Sequence, residues 1–235
     1  MICSIVLLNR RCPELVPALR MSPDSSEENP DSVFMTAIAV ELSLGVVAVL
    51  LGWFMNVDVR QWVPRLEPGN WGLILNGIGW GVAAAMPMLL AIAVIERIDW
   101  APIRRLKELD EMPVVSALLA LSTAELIAIS IAAGVGEELL VRGWLMGWII
   151  GPIAAATPLM IASGLLVSSV AFGAMHPITP AYAVLAGLTG LYLGGLVIWT
   201  ENLIVAIVAH AFYDAVHLLL SKREYTAKKL KAKSI

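Results

Sequence analysis

The sequence predicts an all-α fold, a polytopic transmembrane helical bundle with six or seven spans, and three observations carry that expectation. Of the 235 residues, 59% are hydrophobic and only 15% charged, with a mean hydropathy of +0.81, far above the usual soluble mixture. The apolar residues fall in runs of about twenty, the length that crosses a hydrocarbon core at 1.5 Å per residue. The sixteen Lys and Arg lie mostly between and beyond those runs, where they orient a membrane protein rather than bind nucleic acid, so membrane lipid is the expected surrounding.

Residues 1–32 read as a polar N-terminal tail, ending in the proline-punctuated stretch from Ser22 to Asp31. Cys3 and Cys12, the only cysteines, read as free thiols, since two supply neither a disulfide framework nor a four-thiolate zinc site. The apolar stretch Ile5 to Leu8 is too short for a signal-peptide core, so the first true span is expected to act as its own insertion signal.

Residues 33–112 hold two N-terminal spans and a basic connector. The first span, Val33 to Asn56, contains Glu41 about two turns inside, read as facing other helices or snorkelling. The second, from about 71 to 95, carries Gly72, Gly77, Gly79 and Gly81 for close helix contacts and Pro87 for a kink. Trp53, Trp62, Trp71 and Trp100 fall near the ends, as interfacial anchors do. The connector from Glu96 to Met112, with Arg97, Arg104, Arg105 and Lys107, reads either as a short helix on the membrane surface or as an aqueous linker.

Residues 113–220 form the helical core and 221–235 a basic tail, whose Lys222, Arg223, Lys228, Lys229, Lys231 and Lys233 place the C-terminus in the cytoplasm. The apolar stretch 113–151 is nearly twice what one crossing needs, so it is one long tilted helix or two helices broken near Gly134 and Gly136. Spans follow at about 157–176, 181–200 and 203–220. One crossing for 113–151 gives six spans with thirteen basic residues inside against Arg60 and Arg65 outside, whereas splitting it gives seven spans and a balance of 8 against 7. Charge prefers six.

Three polar motifs interrupt the core. Glu137, Glu138 and Arg142 stand inside an apolar run, where each such group costs roughly 2.5–3.5 kcal/mol on insertion scales. Glu138 and Arg142 are four apart and share a helix face, while Glu137 is rotated about 100° away and is available for chemistry. His176 ends a span one turn after Phe172, and His210 and Asp214 share a face of the last span. Burying each site alone is costly, and grouping them around one cavity satisfies them all. If Glu137 begins a helix, convergence with His176 requires the break at Gly134 and Gly136, which argues for seven spans or for a long helix that is bent and lies partly in the interface.

The order Glu-Glu-x-x-x-Arg at 137–142, Phe-x-x-x-His at 172–176 and His-x-x-x-Asp at 210–214 resembles the CAAX-protease and bacteriocin-processing (CPBP, or Abi) family of intramembrane proteases, which includes the prenyl-protein CAAX endopeptidase. The resemblance implies an intramembrane endopeptidase of the prokaryotic plasma membrane that cleaves a peptide or lipid-modified protein. It assigns Glu137 and His176 to water activation, His210 and Asp214 to oxyanion stabilisation, and Glu138, Arg142 and Phe172 to support. The eukaryotic enzymes carry asparagine where Asp214 stands, and an ionised aspartate has no N–H to donate, so Asp214 orients His210, holds a proton or joins a metal site. A metal-free glutamate mechanism is favoured. The alternative is zinc held by Glu137, His176, His210 and Asp214. His217 reads as interfacial. The competing functions are a non-catalytic bacteriocin self-immunity or scaffold protein, and a proton-relaying transporter, against which the lack of an evident inverted repeat argues.

Overall fold

The computed structural model describes residues 30–107 and 113–233. The polar tail through residue 29, with Cys3 and Cys12, lies outside them, as do residues 108–112 of the connector and the last two residues. The described residues form helices and turns with no strand, and four helices are long and apolar enough to cross a membrane: Pro30–Met55, Trp71–Ile95, Pro180–Thr200 and Leu203–Lys231.

Helix α1 (Pro30–Met55) begins inside the stretch expected to be tail, with Pro30 at its start and Asp31 in its first turn, both suited to a helix N-terminus. It stops at Asn56, which takes the left-handed conformation (φ 53°) that asparagine tolerates better than most residues. The following loop folds back against the bundle. Trp62 is 5% exposed and its carbonyl accepts from the Leu203 N–H at 2.7 Å, so it is a core residue and not the interfacial anchor expected, whereas Trp53 is 81% exposed.

Helix α2 (Trp71–Ile95) continues through Pro87. Of its four glycines, Gly77 and Gly81 make the close contacts expected, against Ile204 and Val208, while Gly72 and Gly79 face open space. The connector contains a short helix, α3 (Ala101–Lys107), that buries Ile103 and pairs Arg104 with Asp99 at 2.6 Å.

Helix α4 (Pro113–Ala120) precedes α5 (Thr123–Glu138). The long apolar stretch is broken between these two, at Leu121 and Ser122, and not at Gly134 and Gly136. Ser122 is the physical reason. Its hydroxyl accepts from the Glu125 N–H at 3.2 Å and its own N–H donates to the Glu125 carboxylate at 2.7 Å, a capping box that fixes a helix start. From there α5 runs without interruption into a π-helical segment (Leu139–Met146) and α6 (Gly147–Ile150), and Gly151 ends the run at φ 66°. Gly134 and Gly136 serve close approach instead. A Cβ on Gly134 would lie 2.8 Å from the Ile207 carbonyl oxygen, and one on Gly136 would overlap the carbonyl oxygen of Glu41.

Helices α7 (Pro158–Ala174) and α8 (Pro180–Thr200) start alike, with Thr157 or Thr179 capping and proline at the first helical position. Helix α9 (Leu203–Lys233) continues through most of the basic tail, so no structural boundary falls at 220. Two apolar clusters fix the helix directions. Val33, Leu126 and Leu218 meet at one end of the bundle, and Trp62, Met146, Leu193 and Leu203 meet at the other. Helices α1 and α5 therefore run together, with α9 antiparallel to them.

Candidate active site

The three motifs converge in the interior, and α5 and its π-helical extension supply the centre. Glu137, Glu138, Arg142, His176 and His210 are all buried. Arg142 extends from the π-helical segment, a geometry that recurs at functional sites. Its Nη1 donates to Glu138 Oε1 at 2.6 Å and its Nη2 to the Gly190 carbonyl of α8 at 2.8 Å. The guanidinium also lies over the Phe172 ring, 4.6 Å from its centroid. Glycine at 190 eases this approach, since a Cβ would stand 3.2 Å from Arg142 Nη2 and 3.3 Å from Phe172 Cβ. Arg142 thus ties the π-helical segment to α7 and α8.

Glu138 has a second partner. Its Oε1 lies 2.9 Å from His210 Nδ1. A carboxylate paired with arginine accepts only, so Nδ1 carries the proton and donates. His210 Nε2 then faces Glu137 Oε2 at 3.8 Å and Asp214 Oδ2 at 3.6 Å. Of the three roles open to Asp214, the orienting of His210 falls instead to Glu138, which alone of the two stands at hydrogen-bond distance.

His176 is set by the same logic. Its Nδ1 is 2.7 Å from the Phe172 carbonyl, which only accepts, so this nitrogen donates and Nε2 is the acceptor of the neutral ring. Nε2 faces Glu137 Oε2 at 3.9 Å. The Phe172 ring packs against both imidazoles, with centroids 4.7 Å from His176 and 5.8 Å from His210. Tyr182 flanks His176 on its other side at 5.8 Å.

The expected separation of Glu137 and His176 onto opposite faces by one uninterrupted helix is overturned by these contacts. That expectation assumed that Glu137 begins a helix. Glu137 instead lies in the last turn of α5, midway along the run 123–150, where a side chain is reachable by a helix arriving from either end. Glu41 faces neighbouring helices and does not snorkel: it is fully buried on α1, beside Gly136. Its position two turns inside an apolar span was the only signal for it in the sequence. His217 pairs with Glu96 at 3.5 Å and stacks on Tyr213, at the end of α2 and away from Glu137.

The donor types around Glu137 Oε2 suit zinc, and both Nδ1 atoms are held in the manner of metal-ligating histidines. The spacing does not fit. Ligands in a tetrahedral zinc shell with bonds of 2.0–2.1 Å stand about 3.3 Å apart, whereas the separations from Glu137 Oε2 are 3.8 and 3.9 Å. Among the described residues no group of three His, Cys, Asp or Glu closes around a common point as a metal shell does. A cavity of about 210 Å³ between α2, α8 and α9 is lined by Trp80, Pro87, Tyr192 and Trp199, and no residue of the three motifs contributes to it.

Residues 119–216 match the family model described as type II CAAX prenyl endopeptidase, Rce1-like, and the match includes every residue of the three motifs. It agrees with the resemblance read from those motifs. No curated protein and no solved structure matches the chain.

Proposed function

We propose that this chain, whose residues 119–216 carry the CAAX-protease family core, is an integral membrane endopeptidase that hydrolyses a peptide bond of a membrane-associated or lipid-modified protein. The observation that carries the reading is the position of Glu137 Oε2, 3.9 Å from His176 Nε2 and 3.8 Å from His210 Nε2. Polar atoms at that spacing do not hydrogen-bond to one another directly, and a water or substrate atom placed among them can reach all three.

In this mechanism Glu137 takes a proton from the bridging water while the His176 Nε2 acceptor orients it. The water oxygen bonds to the scissile carbonyl carbon, and the negative charge moves to the carbonyl oxygen. His210, with Nδ1–H already given to Glu138, donates to that oxyanion from Nε2 when its ring carries both protons. Asp214 supports that doubly protonated form from 3.6 Å. The C–N bond then breaks and the proton held by Glu137 passes to the leaving amine. Glu138 and Arg142 hold His210 and the π-helical segment in register. Each step is assigned to a side chain, and the metal-free route is preferred to zinc because the ligand separations are too wide.

We further propose six crossings, with the run 123–150 counted as one. The end that carries residues 96–107, residues 113–122 and the helical tail is taken as cytoplasmic, because it holds Arg97, Arg104, Lys222 and Arg223. The contacts across that end support the grouping: Glu96 meets His217, and the Lys222 ammonium donates to the Leu121 carbonyl.

The test is cleavage of a quenched-fluorescent peptide library, farnesylated tails included, by detergent-purified wild type and Glu137→Ala, with and without chelator. Cleavage that the substitution abolishes and the chelator leaves intact is the expected result. Loss on chelation with rescue by zinc would replace the mechanism with a metal-dependent one. No cleavage by wild type, together with an in-cell phenotype that survives Glu137→Ala, would move the reading to the self-immunity or scaffold class.

A further inference from the structure

Helix α9 is longer than a membrane is thick. Its 31 residues, Leu203–Lys233, extend about 46 Å at 1.5 Å per residue, against about 30 Å of hydrocarbon. The surplus is the basic tail, in which residues 222–233 hold Lys222, Arg223, Lys228, Lys229, Lys231 and Lys233 against one acid, Glu224. Orienting the chain during insertion requires this charge but no folded structure. Here the charge rides on a helix continuous with the span.

Contacts with the bundle fix the height and rotation of that helix. The Lys222 ammonium donates to the Leu119 carbonyl at 3.4 Å and to the Leu121 carbonyl, at the end of α4. Tyr225, one turn on, packs against the cluster of Val33, Leu126 and Leu218, and Lys229 stands over its ring, 5.8 Å from the centroid. Arg223, Lys228, Lys229 and Lys231 are exposed. The neighbouring end of α2 marks the headgroup layer. Glu96 meets His217 at 3.5 Å, and just beyond it Ile98 and Trp100 are 48% and 61% exposed, as side chains at a membrane–water boundary are. Lys222 stands five residues past His217, about 7.5 Å of helix, so the tail leaves the hydrocarbon where its charge begins.

Two further features aim the charge at the membrane. Helix side chains lean toward the N-terminus, which on this tail is the direction of the bilayer, so the lysines point back at the headgroups. Lys228 and Lys229 lie about 9–11 Å along the axis from Lys222, close to the screening length of about 8 Å at physiological ionic strength, and their flexible stems shorten the gap. The acids nearby have cationic partners of their own: Asp99 pairs with Arg104 at 2.6 Å, Glu96 meets His217, and Glu224 stands four residues before Lys228, the spacing of a helical ion pair.

We propose that the helical tail of α9 is a docking surface for the anionic phospholipid headgroups of the leaflet at this end. Charge complementarity selects the partner, because phosphate headgroups supply the negative charge that the acids of this end do not. The proposal stands apart from the proteolytic reading and uses none of the residues of that site.

The experiment titrates the full chain in detergent micelles with dansyl-labelled phosphatidylglycerol and, separately, dansyl-labelled phosphatidylcholine, reading energy transfer from the tryptophans. Wild type is expected to bind phosphatidylglycerol at least about tenfold more tightly at about 0.05 M salt and to lose that preference at about 0.5 M. One lysine near an anionic surface is worth about a fivefold change in affinity. The variant Lys228→Gln/Lys229→Gln/Lys231→Gln/Lys233→Gln should therefore bind phosphatidylglycerol at least about tenfold more weakly, with phosphatidylcholine unmoved, and the same four positions changed to arginine should behave as wild type. Equal affinity of wild type for the two lipids, or a preference that survives the glutamines, overturns the proposal and leaves the tail to a soluble acidic partner. Soluble glycerol phosphate at matched concentration should not displace the lipid; displacement would reveal a pocket for free phosphate and would equally overturn a lipid-docking surface. If the fourfold variant does not fold, the exposed pair Lys228→Gln/Lys231→Gln should weaken binding by a smaller factor, and an unmoved affinity is again fatal.

Discussion

On one side of His210, Glu138 Oε1 stands 2.9 Å from Nδ1 and 2.6 Å from Arg142 Nη1, and Arg142 goes on to the Gly190 carbonyl at 2.8 Å. On the other side, Glu137 Oε2 stops 3.8 Å from His210 Nε2 and 3.9 Å from His176 Nε2. The two glutamates are adjacent in sequence, equally buried and chemically identical. Their helical rotation and their neighbours separate them. Glu138 shares a face with the guanidinium and is consumed in direct hydrogen bonds, while Glu137 points at two acceptor-or-donor nitrogens across gaps that direct bonds do not fill. Closed contacts supply rigidity and open ones leave room for a reactant, and one imidazole is bounded by both.

The sharpest way to break this comparison is to substitute each glutamate's side in turn. Glu137→Gln keeps the shape and removes the base, so it should lower kcat by about 10²–10⁴-fold, the usual span for a general base. Its thermal unfolding should stay near that of wild type, because glutamine keeps the size and packing of the side chain. Parallel measurement of turnover and melting temperature checks this, and a melting loss as large as the one expected next for Arg142 would erase the distinction between the two residues.

Arg142→Ala leaves Glu138 buried without its guanidinium, a change that costs about 3–5 kcal/mol. Chemical unfolding in mixed micelles should register that loss, with activity falling alongside as His210 and the π-helical segment lose their anchor. Substituting Glu138→Leu together with Arg142→Met should recover stability without recovering activity. Recovery of both would mean that the closed side serves packing alone.

The smallest effect is expected at Phe172. Phe172→Leu keeps an apolar side chain but removes the ring over the Arg142 guanidinium and beside both imidazoles, at a cost of about 0.5–2 kcal/mol. Because the ring touches both sides of the site, stability and turnover should decline together, unlike either of the preceding variants. Differential scanning fluorimetry alongside turnover reads this, and an unchanged melting temperature would remove Phe172 from the supporting framework.

Much of this site was legible in the chain. The i,i+4 spacing of Glu138 and Arg142 foretold their pairing, and the rotation between adjacent helix positions foretold that Glu137 would look elsewhere. The cost of isolated polar groups in an apolar segment foretold that the three motifs would meet. What local spacing could not supply was any contact between residues distant in sequence. The orienting of His210 passes to Glu138, 72 residues away, because α5 and α9 cross at Gly134, and no pattern within either helix encodes that crossing. Trp62 failed as an interfacial anchor for the same reason, since its place depends on a loop folding back to meet Leu203.

The sequence by itself determined the class of fold, the positions of most helices and which polar side chains would be buried in the core, because hydropathy, capping and helical periodicity act over a few turns of chain. It also carried the capping box at Ser122 that ends the ambiguity of 113–151, although Gly134 and Gly136 were the more conspicuous breakers. Only the tertiary structure decided that those two glycines are contact surfaces and not hinges, that Glu137 sits in mid-run where His176 and His210 both reach it, and that Glu41 is buried beside Gly136. Each of these depends on how closely two backbones approach, which is fixed by the absence of a side chain at the crossing and by the shape of the partner helix, and neither quantity is local to one segment.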